Sequence, residues 1–89
     1  MKPIWIVDDD QSIRFVLERA LQREGLVTRS FTEANQVLAA LADAEASELP
    51  SVLVSDIRMP GVNGLELLAK VKTRQADLPI IIMTAYSDL

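Results

Sequence analysis

Two hydrophobic periods take turns along the chain. Ile4-Trp5-Ile6-Val7, Val52-Leu53-Val54 and the run from Ile80 to Met83 are short, continuous and rich in β-branched side chains, and the stretch from Leu26 to Phe31 is a more mixed one; they predict four strands. Between them the spacing becomes helical. Ile13, Val16, Leu17, Ala20 and Leu21 fall at i, i+3, i+4, i+7 and i+8, and Gly25 then supplies a left-handed stop. A second helix reads Ala34, Val37, Leu38 and Leu41, with Thr32 placed to cap it, and trails into the loose stretch Glu45-Ala46-Ser47-Glu48-Leu49-Pro50. A third begins after Asn63, carries Glu66 three residues on in the manner of a capping box, and buries Leu67, Leu68 and Val71. Continuous apolar strands alternating with amphipathic helices call for a parallel sheet covered on both faces and joined by right-handed crossovers. The expected fold is therefore a doubly wound α/β sheet in the order β1-α1-β2-α2-β3-α3-β4. No internal repeat or Pro/Gly/Ser-rich linker divides it, so residues 1–89 read as one domain.

The ends of these strands carry the chemistry. The first run stops on Asp8, Asp9 and Asp10, and the third, VLVSD, stops on Asp56 before a turn made by Met59, Pro60 and Gly61. In open parallel sheets ligands bind outside the carboxyl ends of the strands, where strand order reverses. If the first and third strands are neighbours, Asp8, Asp9 and Asp56 converge in one cleft. Crowded carboxylates repel, and burial raises their pKa unless a cation neutralises them. An oxygen-only set with room for water suits Mg2+ better than Ca2+. Asp56 could then act as a nucleophile toward a phosphoryl group, and Thr84, also at a strand's carboxyl end, could hydrogen-bond one of its oxygens. Taken singly, each acid is as well read as a turn former or helix cap, and Asp10 fits that role best. Thr84 alone reads as an ordinary β-branched strand residue.

Composition narrows the alternatives. With no cysteine and no histidine there is no disulfide, no thiolate or imidazole metal site and no histidine catalysis, which leaves chemistry by oxygen. Thirteen acidic against nine basic residues give a net charge of −4, the wrong sign for a phosphate-backbone footprint, so no direct contact with nucleic acid is expected. An apolar share of 49% with 25% charged residues describes an ordinary globular protein rather than a disordered one. No apolar run reaches membrane-spanning length and no signal peptide opens the chain, so neither a membrane nor an export role is expected; a cytoplasmic location is.

Taken together, IVDDDQSIRFVLERAL, VLVSDIRMPGVNGLELL and LPIIIMTAYSDL resemble the receiver domain of two-component response regulators, and within it the nitrogen-regulation (NtrC-type) branch of sigma-54 activators. The likeness runs from about Pro3 to Leu89. It implies a flavodoxin-like domain that takes a phosphoryl group from a sensor histidine kinase with Mg2+ as cofactor. Residue by residue, Asp56 matches the phospho-acceptor, Asp9 the acid that binds Mg2+ directly and Asp8 its partner. A shift of one position would make that pair Asp9 and Asp10. Arg58 stands where the family offers a backbone carbonyl to the metal, and Thr84 matches the switch hydroxyl. Receivers of this kind continue past MTA into a helix, a fifth strand with a Lys-Pro pair and a last helix, none of which follows in these 89 residues. The resemblance thus implies that the lysine that completes the switch is missing here. Without those elements the fourth-strand edge and the apolar face of the first helix would lack their neighbours, so these 89 residues are expected to be either the ordered part of a longer polypeptide or a shortened chain that self-associates through those surfaces. Two other readings compete: a receiver-like protein-binding or dimerising module that no longer signals, and a magnesium phosphatase. The phosphatase wants a second acid two residues after its nucleophile, where this chain has Arg58.

Overall fold

A computed structural model describes residues 2–45, 48–57 and 63–83. Four parallel strands, β1 (Ile4–Val7), β2 (Thr28–Phe31), β3 (Val52–Asp56) and β4 (Ile80–Met83), lie in the order β2-β1-β3-β4. Three helices alternate with them, α1 (Gln11–Arg23), α2 (Ala34–Asp43) and α3 (Gly64–Arg74). This is the alternating α/β sheet expected from the two periods. All of β1 is buried, as its continuous apolar run requires.

The two faces of the sheet are told apart by β2. Its Arg29 guanidinium lies 5.3 Å from the Trp5 ring and 5.0 Å from the Phe31 ring, whereas the intervening Ser30 hydroxyl donates to the Glu18 carboxylate of α1. Successive side chains point to opposite faces, so α1 covers one face and the main core fills the other. That core joins Trp5, Val7, Phe31 and Leu53 of the strands to Ala34, Val37 and Leu41 of α2 and to Leu67 and Val71 of α3. The aromatic pair Trp5 and Phe31 meets with ring centroids 5.1 Å apart. By contrast α1 has no fully buried residue, and Phe15 and Val16 remain 57% and 62% exposed.

Local signals explain the element ends. Asp10 caps α1 by accepting from the backbone N–H of Ser12 and Ile13, and Gly25 takes the left-handed φ of +75° that ends the helix's last turn. Asn63 caps α3 by accepting from the Glu66 N–H at 2.9 Å. Two expectations need correction. Thr32 does not cap α2; Glu33 holds that position, and the Gln36 carboxamide oxygen reaches back to accept from the backbone N–H of Thr32 and Glu33 and from the Thr32 hydroxyl. Thr32 lies one residue before the cap position, and there its hydroxyl donates to the Gln36 side chain. Leu68 is only half-buried, because Leu67 and Val71 alone of the three point squarely into the core.

Candidate functional site

Register delivers the acids to one place. Val7 of β1 pairs with Ser55 of β3, so the next residues, Asp8 and Asp56, emerge side by side at the carboxyl end of two strands about 4.8 Å apart. The point is also where the chain turns from building the sheet on one side of β1 to building it on the other. Asp9 joins from the turn before α1. Carboxylate oxygens of Asp8, Asp9 and Asp56 all lie within 4.8 Å of one another. Asp8 and Asp56 are 3% and 7% exposed and Asp9 is exposed, so the cluster is a cleft open on one side. Asp10 is not part of it, being engaged at the α1 cap.

Burial pushes the Asp8 carboxyl above its ordinary pKa of 3.8; the Asp10 N–H, donating to Asp8 Oδ1 at 2.8 Å, pulls it back, and the charges of Asp56, Asp9 and Asp10 add to the rise. Hard oxygen donors of net negative charge, two of them buried against each other, fit a small divalent cation. A bound cation would offset the repulsion that burial aggravates, and Asp8, Asp9 and Asp56 would hold it.

Two residues that touch the backbone of these acids were not singled out from the sequence. The Arg14 guanidinium, half-buried on α1, donates from Nη1 to the Asp8 carbonyl oxygen at 2.7 Å. Gly64, at the start of α3, sits so close beneath β3 that a Cβ there would stand 2.4 Å from the Asp56 carbonyl oxygen and 2.8 Å from the Ile57 Cα, while its N–H donates to the Ile57 carbonyl at 2.9 Å. Neither has a sequence signal beyond helix position: both act through a neighbour brought near by the fold. Arg58 and Thr84 lie outside the described residues.

Fold and cleft together define an acidic-site α/β module of the flavodoxin-like kind. Residues 4–89 match the response regulator receiver domain model, and the chain belongs to that family. Over 97% of its length it is 59% identical to the DNA-binding transcriptional regulator NtrC of Salmonella typhimurium, of which it spans 18%. The solution structure of the apo receiver domain of nitrogen regulatory protein C is 59% identical, with a TM-score of 0.81 over 98% of this chain and 67% of that one. The response regulator TrrA of Thermotoga maritima, solved with Mg2+ and BeF, is 33% identical with a TM-score of 0.86, covering 98% and 72% of the two chains. The same regulator solved in complex with the histidine kinase ThkA gives a TM-score of 0.85 over the same shares at 33% identity. The chain is thus a receiver domain of the NtrC type, spanning about a fifth of the length of the curated NtrC relatives it matches.

Proposed function

We propose that this receiver accepts a phosphoryl group from a sensor histidine kinase onto Asp56, with Mg2+ held by Asp8, Asp9 and Asp56, and so switches a transcription-activating output in nitrogen regulation in the cytoplasm. One observation carries the reading: three carboxylates from two strand ends meet within 4.8 Å at the sheet's switch point. An Asp56 carboxylate oxygen forms the new P–O bond as the phosphoryl group's bond to the donor's imidazole nitrogen breaks, and the electron pair leaves with that nitrogen. Mg2+ supplies charge compensation for the phosphoryl oxygens. Asp8 and Asp9 keep the cleft anionic and hydrated enough to hold a hard cation, and the carboxyl end of β3 sets Asp56 beside them. In the proposed assignment Arg58 offers its backbone carbonyl to the cation and Thr84 its hydroxyl to the phosphoryl group. The domain acts as a switch rather than a turnover enzyme, and it self-associates through the β4 edge and the apolar residues of α1.

The test is intact mass before and after incubation with acetyl phosphate and Mg2+. One phosphoryl group should be gained, lost on chelation, and absent in Asp56→Asn, whose fold should be nearly unchanged. Labelling of Asp56→Asn at the wild-type level would refute the assignment. A wild-type chain that folds and binds Mg2+ but gains no phosphoryl group would instead support a module kept for its protein contacts.

A further inference from the structure

β1 ends at Val7, so the Asp8 carbonyl lies past the strand's last residue and needs a donor from elsewhere. Arg14 provides it at 2.7 Å, folding the turn of residues 8–10 back onto the opening of α1. The Asp10 N–H holds the Asp8 carboxylate at 2.8 Å, and the Asp10 carboxylate in turn accepts from Ser12 and Ile13. Asp8 is gripped at its backbone and at its side chain. Both grips are charge-assisted, the first by the guanidinium and the second by the ionised carboxylate, but only the guanidinium keeps its charge at every pH the fold meets.

We propose that Arg14 is a positioning residue for the acidic cluster: by holding the Asp8 carbonyl it fixes how Asp8 and Asp9 present their carboxylates to Asp56, and so sets the affinity for a divalent cation. This role rests on the proposed reading of the cluster as a Mg2+ site. Two effects of opposite sign compete when Arg14 is removed. Losing a positive charge near three acids favours cation binding by Coulomb attraction, whereas losing the anchor lets the turn relax and spoils convergence. The second wins, because the guanidinium bonds a carbonyl rather than a carboxylate, and groups that orient ligands typically govern metal affinity by about tenfold or more. The charge effect alone is weakened by salt over a Debye length of about 8–10 Å.

The experiment follows the Asp8, Asp9 and Asp10 amide resonances during Mg2+ titration of wild type, Arg14→Met and Arg14→Lys, at low and high salt. Arg14→Met should bind Mg2+ about tenfold more weakly at both salt concentrations. Arg14→Lys, which keeps the charge and one donor, should fall between. In metal-free protein Arg14→Met should also speed hydrogen exchange at the Asp10 amide while leaving the Trp5 and Leu53 amides protected. Equal or tighter Mg2+ binding by a folded Arg14→Met would overturn the proposal and leave Arg14 a mere anchor for α1. Should Arg14→Met fail to fold, Arg14→Lys decides alone: weaker binding supports the role and wild-type affinity overturns it. A wild type without any Mg2+ response is a separate outcome, which overturns the cation reading and this role with it.

Discussion

Asp8 and Asp10 are neighbours but one in sequence, both acidic, and do unrelated jobs. Asp10 spends its carboxylate on two backbone N–H groups of α1, while Asp8 turns its own into the cleft. Their division was largely legible: a strand-end acid before a helix announces a cap and Asp10 fits that role best, but a one-position shift leaves the paired acids open as Asp8 and Asp9 or Asp9 and Asp10 until the fold sets Asp8 and Asp9 beside Asp56. Burial, first among the causes, raises the Asp8 pKa. In the unfolded chain the group returns to its ordinary value, so the folded state binds the proton more tightly. Asp8's contribution is therefore fully present below the unfolded pKa and is lost as pH rises through the raised folded pKa. At neutral pH, without metal, its charge costs stability. Asp8→Asn keeps an acceptor for the Asp10 N–H and should raise the metal-free melting temperature at neutral pH, with the gain shrinking as the solution is acidified. The same variant should lose stabilisation by Mg2+. Melting curves across that pH range, with and without Mg2+, check both; an unchanged Mg2+ response would remove Asp8 from the cation site.

Among the elements, the contact between α3 and β3 constrains the site most tightly. Gly64 lies against the backbone of Asp56 and Ile57, which has no flexible end to move aside. Gly64→Ala should therefore cost on the order of 1–3 kcal/mol by overpacking. It should also slow phosphoryl acceptance, since the shift falls on Asp56 itself. Denaturant unfolding measures the first effect and labelling by acetyl phosphate the second; a variant of wild-type stability would mean that the helix start can slide without cost. Sequence alone placed a helix start at Asn63 from its capping chemistry, because that signal is local. It could not see that the next residue must lack a side chain. Likewise the α2 cap was misplaced by one residue, since Gln36 reaching back to Thr32 and Glu33 is a choice between two adjacent polar residues that spacing does not decide.

At the scale of the whole molecule, the described residues cover the two faces of the sheet unequally. The core sits between the sheet and α2 with α3, while α1 leaves Ile13, Phe15 and Val16 exposed, and Ile81 of the edge strand β4 is 54% exposed. Arg19 lies 5.5 Å from the Phe15 ring but shields only part of it. The self-association proposed above is tested on these 89 residues by light scattering, where it reads as a mass above 9.8 kDa. A single species at 9.8 kDa would exclude it.

The sequence by itself determined the elements, their alternation, the parallel sheet and the strand-end position of every candidate acid, because hydrophobic period and capping chemistry are properties of a few adjacent residues. Only the tertiary structure decided which acids meet. Strand order β2-β1-β3-β4 sets Asp8 beside Asp56, Arg14 reaches the Asp8 carbonyl across the turn, and Gly64 gives β3 room. These are contacts between groups brought together by packing, and no local pattern encodes the distance between them.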